Sequence, residues 1–600
     1  MPNVNTTFQG FQLIVPAAYY ADNVSASYLP PQPTTPPLIF IGYGYGPKPQ
    51  TANTYFTPTD LLNAIRGGPA SGYVQFLCNP SNQLNGAQQV TFIDVSENTQ
   101  SSLTLYSGAS GVINLKSSLY GLPSNLLQVS IAAGSTAGDL VTLYDGYANY
   151  TVVGDNLGVP FQVSYLGSSS GVTYSVTVSG GVATNFSTNS PVSGQSVSIP
   201  LNSANFATVE AVVEYLNGTG YYSANVISST NGQLPSTYLD AASGLGLASG
   251  GVLVNITATL GDIIYWFNQF ADYAGGGAIA TATSGAFTSS TAVLPSHIGL
   301  TPFSGATSVP PITSDYASGF NLALALPGWT VYADSNSSAV VALGTQHAVT
   351  ASEVINGKWR RFFSGSSIGD SIATATATAI AQNAITTSYV YPGIYRTDSV
   401  TGINTLFSGH KAAAAIAGMA TGNPPNTPLT NKTLVGNGVE VSLTVSQINT
   451  LQQAGVMPIY IPNNTPGVPT VVQDLTTWQN DSNPANVHSQ QVACRWFLAY
   501  TMVNALQPYV GSIASTLTET QMLNAAKSAL NASIYNGSNN GVLNSWNPAT
   551  LSITYTGANQ TAYVTVEVVL VGQNVFIEIF VPIQPLNFTV SLNQNGIAAT

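Results

Sequence analysis

The chain has 600 residues, more than one ordinary hydrophobic core accommodates, so roughly two to four domains with ample buried apolar area are expected. Its 11 basic and 23 acidic residues give a net charge of -12, which works against electrostatic binding to nucleic acid or to an anionic membrane surface. Charged residues make up only 6%, far below the rough quarter usual in a soluble domain. The polar surface must then be built from Ser, Thr, Asn, Gln and Tyr; it responds little to salt or pH and suits faces that pack against copies of themselves.

From the N-terminus, MPNVNTTFQG has neither a basic n-region nor an apolar h-region, so no secretion signal is expected there. Residues 11–15, FQLIV, read as a short extended segment, and PPQPTTPP at 30–37 as a polyproline-like linker, because successive prolines cannot join a strand ladder. LIFIGYGYGP at 38–47 reads as a buried strand entering a glycine turn. The helix of FTPTDLLNAIRGG follows, with Thr57 as N-cap, Pro58 first in the helix, Asp60 near its N-terminus and Gly67 past its end. From about 96 to 296 the texture is Ser/Thr/Gly/Val-rich alternation, mostly sheet. Two helices interrupt it: TVEAVVEYLNG, capped by Thr208 and stopped by Gly218, and TLGDIIYWFNQFADY, with a capping-box-like start at Thr259 and Asp262. The Gly/Ala run at 274–292 reads as a mobile connection out of this region. The apolar stretch from Leu245 to Phe287 is broken by glycines, Asn255 and Asp262 before it reaches the length of a membrane span.

Helix and strand then alternate again through SDYASGFNLALALPGWTVYADS, AVVALGTQHAVTAS and SIATATATAIAQNAITTSYVYPGIYR. Val492, Trp496, Tyr500 and Val503 fall on one helical stripe, and a later helix opens with a capping box from Thr518 to Gln521. YVTVEVVLV and NVFIEIFVPI close the chain as two period-2 strands.

Few residues offer chemistry. GYGYG, Gly42 to Gly46, follows a strand as a dinucleotide-binding turn would, but it lacks the third glycine, and Pro47 stands where a helix start would present N–H groups. A structural turn is the better reading. His297, His347, His410 and His488 are far apart, with no His or Cys at metal-motif spacing. GSSSG at 167–171 and GSSIG at 365–369 fit the nucleophile-elbow string, which a Gly/Ser-rich chain produces by chance; Ser367 would need a late histidine and a carboxylate to converge on it. Cys494 lies in an apolar helical pattern without the setting that activates a thiol, and with Cys78 it permits at most one disulfide. Lys358, Arg360 and Arg361 read as a solvated basic face. No catalytic, cofactor-binding or metal-ligating residue is assigned, and no cofactor is expected.

Residues 389–481 carry a signal of another kind: YVYPGIYR, HKAAAAIAGMATGNPPNTPLTNKTL, VSLTVSQINTLQQAGVMPIYIP and PTVVQDLTTWQND, in that order and spacing. The series resembles the contractile tail sheath proteins of bacteriophages and related injection systems. LIFIGYGYGP, YGLPSNLLQVSIAAG and FIEIFVPIQPLNFTVSL extend the likeness over nearly the whole chain. Taken by its residues, the stretch is a packing hub. Ala413, Ala417 and Gly418 permit close backbone approach; Pro425 helps stop the helix; Thr430 and Asn431 can bond turn backbone; Thr444 and Gln447 cap the next helix and Gly455 ends it.

The resemblance implies an α/β (α+β) multidomain sheath core with a β-rich inserted domain and extended arms at both ends. The expected divisions are 1–37 for the N-terminal arm and linker, 38–95 for the first part of the core, 96–296 for the outward-projecting insert, 297–555 for the main core and 556–600 for the C-terminal arm. It further implies a structural subunit, not an enzyme, that stacks with itself in rings around a tail tube protein, with a baseplate and a tail terminator at the ends. Nucleic acid contact and membrane insertion are not implied. The place of such a subunit is the virion, after assembly in the host cytoplasm, and its action is to shorten and drive the tube through the host envelope. Phe11, Leu13 and Val15, with Phe576, Ile577, Ile579, Phe580 and Val581, are then the expected inter-subunit arm contacts, because extended segments can join a neighbour's sheet edge without charge. A non-contractile surface-layer or adhesin-like β-rich protein is the main alternative; an α/β enzyme resting on GYGYG and GSSIG is the other.

Overall fold

The computed structural model describes residues 37–573, apart from 248, 274–278, 284–291, 354–356, 399–400, 464, 513–514, 538–539 and 557–560, together with Thr6–Phe8, Phe11–Leu13, Tyr19–Ala21 and Ala26–Tyr28. An eight-stranded sheet organises it, in the order Thr470–Val471, Val456–Tyr460, Thr387–Tyr391, Arg361–Gly365, Thr330–Ala333, Leu38–Gly42, Val90–Asp94, Ala52–Tyr55. The inner strands are all parallel and the two edge strands antiparallel. A parallel sheet is covered on both faces, which is why LIFIG, VTFID and RFFSG are buried at every position instead of alternating. Helices Pro58–Ile65, Ser71–Cys78 and Gly409–Gly422 cover one face, and Thr313–Ala325, Ser338–Ala351, Ile372–Gln382 and Val445–Gln453 the other.

Strand Leu38–Gly42 pairs with Val90–Asp94 on one side and Thr330–Ala333 on the other, so the sheet is assembled from chain on both sides of a long insertion. The insertion holds two β units, one nested in the other. The outer unit packs the sheet of strands Tyr150–Leu157, Asp139–Asp145, Leu127–Ala133 and Ile298–Pro302 and the sheet of Ala280–Thr283, Ser110–Tyr120 and Gln100–Ser107 around helix Gly261–Gln269. The inner unit, strands Phe161–Tyr165 through Val254–Ile256 with helix Val209–Gly218, has its own apolar core. Two expectations move here. Ile298–Pro302 still pairs with Leu127–Ala133, so the insert runs beyond 296. Ala280–Thr283, expected within a mobile connection, is a strand paired with Asn114–Ser117.

After the sheet, helices Ser489–Leu506 and Thr516–Ala532 share a core with strands near the end of the described chain. Strand Ser552–Thr556 pairs with Thr561–Thr565, and Leu543–Trp546 with Val568–Leu570. A division at 555/556 therefore cuts a hairpin, and 561–570 belongs with this helical unit.

Most helix starts follow their capping residues. The Thr57, Thr208 and Thr444 side chains accept the N–H groups of Asp60, Ala211 and Gln447, and the Thr444–Gln447 box closes in both directions. Replacing Thr444 with Ala should cost about 1 kcal/mol in a urea titration. Two expected boxes differ. Ser515, not Thr518, caps the helix it opens, accepting the Thr518 N–H at 3.2 Å, so the helix begins earlier. Gly261–Gln269 has no side-chain cap, because Thr259 bonds Asp240 at 2.5 Å and Asp262 accepts the Gly158 N–H at 3.0 Å. Both residues are recruited by distant chain. Among the described residues no helix is long and apolar enough to cross a membrane.

Candidate functional site

The hub is built on the helix Gly409–Gly422, wedged between the parallel sheet and helix Ser71–Cys78. Ser408 starts it by accepting the Lys411 N–H at 3.3 Å. Ala412 to Ala417 are fully buried, and the small side chains let backbones meet. A Cβ on Gly418 would lie 2.1 Å from the Leu77 carbonyl oxygen, and one on Gly422 2.0 Å from the Gly86 carbonyl oxygen. Asn423 ties off the end by donating to the Met419 and Asn85 carbonyls, both at 2.8 Å. The Pro425 carbonyl accepts the Cys494 thiol at 3.4 Å. Thr430 accepts the Asp474 N–H at 3.0 Å, and Asn431, at φ 59°, donates its N–H to Val471 at 2.8 Å. Gly455, at φ +72°, leaves its helix in the left-handed region beside Thr476 and Thr477. Ala413, Ala417 and Gly418 therefore face helix Ser71–Cys78 and the sheet, while Pro425, Thr430 and Asn431 line the join to the edge strand Thr470–Val471 and to helix Ser489–Leu506; Gly455 lies apart, at the start of strand Val456–Tyr460.

The basic cluster is not a solvated face. Arg360 is fully buried and Arg361 nearly so. Arg360 donates to the carbonyls of Ala323 at 2.5 Å and Gly328 at 3.1 Å, and to Leu326, and meets His347 Nε2 at 3.0 Å. It thus satisfies the open carbonyls where helix Thr313–Ala325 ends, the negative end of the helix dipole. Arg361 donates to the Ala420 carbonyl, at 2.8 Å, in the last turn of the hub helix. All the arginines of the chain, Arg66, Arg360, Arg361, Arg396 and Arg495, are buried. A sequence window counts such residues as polar; only the acceptors that the fold brings beside them make them interior.

The acids behave likewise. Burial pushes Asp94 and Asp262 up to about 7, and Asp334 and Asp474 up to about 6. Asp334 accepts the Tyr43 N–H at 2.7 Å and the Tyr316 hydroxyl at 2.6 Å, and Asp474 accepts the Gln490 N–H at 3.0 Å at the start of helix Ser489–Leu506. A carboxyl raised on folding holds its proton in the native state while the unfolded chain has lost it, so its contribution is full below about pH 4, drains away as pH rises from there, and is gone once pH has passed 6 to 7. Burial works in the opposite sense on His347 and His410, held down to about 3 and 4, whose contribution is complete above about pH 6.5. The thermal midpoint should therefore fall between pH 6.5 and 8, with the histidines already neutral. Asp262→Asn should flatten that fall, read by scanning calorimetry at three or more pH values.

The remaining candidates are taken up in contacts within the fold. In GYGYG the N–H groups are spent inside the fold: Tyr43 on Asp334, Tyr45 on the Ile65 carbonyl at 2.6 Å and Gly46 on the Tyr120 carbonyl at 2.8 Å. No anion cradle is left. Ser367 accepts from Asn336 at 2.8 Å, whereas His410 is buried with its Nε2 on the Ala333 carbonyl at 2.9 Å. Cys78 and Cys494 are free thiols, both pushed up to about 12 by burial. Among the described residues no group of His, Cys, Asp and Glu is placed to hold a metal. Of the arm residues, Phe11 and Leu13 lie on a strand that pairs antiparallel with Thr6–Phe8 of the same chain. Val15, Phe576, Ile577, Ile579, Phe580 and Val581 lie outside the described residues.

The tail sheath protein of Bacillus phage SP01 is 26% identical over 494 residues, covering 79% of this chain and 80% of that protein. The sheath tail protein of Desulfitobacterium hafniense aligns with 92% of this chain and 96% of its own at a TM-score of 0.51 and 12% identity. This chain resembles tail sheath proteins in sequence and in fold. The sheath tail protein of Listeria innocua aligns with 90% of this chain and 93% of its own, at a TM-score of 0.54 and 9% identity. No family model matches the chain. In this chain the closest backbone approaches at the hub fall at Gly418 and Gly422.

Proposed function

We propose that this chain is a tail sheath subunit, a virion component that polymerises into a helical contractile sheath around a tail tube and shortens to drive the tube through the host envelope. The observation that carries this reading is the coincidence of sequence likeness over most of the chain with a matching fold over nine-tenths of it. The physical chemistry supports it. A chain with 6% charged residues and every arginine interior favours cohesion through hydrogen bonds and apolar contact. The close-packed hub supplies a core that can move as a rigid body while contacts between copies change, and contraction then needs only relaxation of a metastable lattice, with no cofactor. The ends of the chain serve as arms that add strands to neighbouring copies, with the tube protein inside and baseplate and terminator at the ends.

Electron micrographs of the purified full-length chain, alone and with its tube partner, test the reading: rings or tubes are expected, and protein found only on cell envelopes without tail particles would favour the surface-layer alternative. A chain lacking residues 1–37 should fold, with an unchanged melting transition, but form no long tubes; normal tubes would remove the arm assignment. Ile579→Asp should hinder polymerisation more than folding.

A further inference from the structure

We propose that Arg396 is the receptor for a carboxylate side chain of a neighbouring copy of this chain, an inference that takes the neighbour from the sheath reading. Arg396 lies in strand Ile394–Thr397, between Asn404–Phe407 and Gly438–Val439, and is 5% exposed. Its guanidinium stacks over the Phe76 ring at 4.7 Å and donates through Nη2 to the Gln75 carbonyl at 3.2 Å. Its Nη1 has no hydrogen-bond partner. The group borders a pocket of about 280 Å³ lined by Gln75, Thr397, Val435, Gly436 and Asn437, of which Thr397 and Asn437 are exposed, so the pocket communicates with the surface.

Each of the other internal arginines has a carboxylate nearby or several acceptors, although Arg66 Nη1 likewise lacks a hydrogen-bond partner. Arg66 is paired with Asp145 at 2.5 Å, Arg360 spends its donors on three carbonyls, Arg361 acts on the Ala420 carbonyl beside the Asp474 carboxylate, and Arg495 donates to Asn486 at 3.0 Å. Among the described residues the ion pairs are Arg66–Asp145 and His297–Asp139, so Arg396 is a desolvated cation without a counter-charge. Such a group is costly until it meets an anion, and the two oxygens of a carboxylate match the guanidinium fork. A second copy is the occupant the composition favours: with 23 acidic residues against 11 basic, each copy has carboxylates in excess. A head-to-tail lattice brings unlike surfaces of successive copies together, as a receptor and its donor require.

The test uses the full chain labelled with ¹⁵N-arginine, below its assembly concentration, titrated with sodium glutarate against sodium chloride at matched ionic strength. The Arg396 Nε–H resonance, identified by its loss in Arg396→Lys, should move saturably while the other arginines stay still. In parallel, Arg396→Lys should raise the concentration needed for assembly at least about tenfold, with Arg396→Gln as a second variant should the first melt early. No glutarate response overturns the proposal, even if assembly weakens, because Arg396 would then act as a structural prop. A response with unchanged assembly also overturns it, making the pocket a site for a free small carboxylate. A wild-type chain that never assembles defeats the sheath reading and with it the neighbour, while the glutarate arm still reports separately on the pocket.

Discussion

Gly418→Ala should destabilise the folded chain by about 3 kcal/mol or more, although alanine is the better helix former by about 1 kcal/mol. The new methyl would sit 2.1 Å from the Leu77 carbonyl oxygen, and that obstacle is backbone, not the movable end of a side chain. Helix Ser71–Cys78 cannot retreat alone, because Phe76 packs edge-on to Phe407 at 5.0 Å and the Tyr73 hydroxyl holds the Asp334 carbonyl at 2.7 Å. Separating the helices would open voids along the whole contact. A urea unfolding series comparing Gly418→Ala with Thr421→Ala, in the same helix, checks this. Equal midpoints would mean the two helices are not in backbone contact.

Arg360→Met should cost about 3 to 5 kcal/mol, because three carbonyls lose a charged donor at roughly 1 to 3 kcal/mol for each buried group left unsatisfied. The methionine fills much of the volume, but the carbonyls of Ala323, Leu326 and Gly328 lose their donor in a place water does not reach. Arg360→Lys should not restore stability, since one ammonium cannot reach three carbonyls spread around a planar fork. Calorimetry on the three proteins decides it; a lysine variant as stable as wild type would show that charge near the helix end suffices, without the fork.

How much was legible in advance differs by kind of residue. LIFIG and SYVY are continuous apolar or aromatic runs, and Thr57, Thr208 and Thr444 bond N–H groups three residues away, so both could be read locally. The stripe Val492, Trp496, Tyr500 and Val503 also packs as its period indicates, in one cluster with Trp359, Tyr500 being half-buried. Charge alone predicts exposure for Arg360 and Arg361, which are buried, and spacing alone predicts a cap from Thr259 and Asp262, whose partners are Asp240 and Gly158. The Arg396 pocket had no local signal: Gln75 and Gly436 reach it from far along the chain. Likewise the insert's true end near 302 shows only when Ile298–Pro302 finds its place beside Leu127–Ala133.

By itself the sequence determined the local geometry: which runs are strands, where most helices are capped, and that the chain carries few charges. Those properties depend on neighbours within a turn or a strand repeat, and a short window contains them. The tertiary structure alone decided that Leu38–Gly42 sits between strands from both sides of the insertion, that the arginines face inward to acceptors brought beside them, and that burial raises the Asp94 and Asp334 carboxyls above the usual carboxylate range. Each of these depends on the free energy of a polar group removed from water, which is set by whatever chain arrives beside it and not by the residues that flank it.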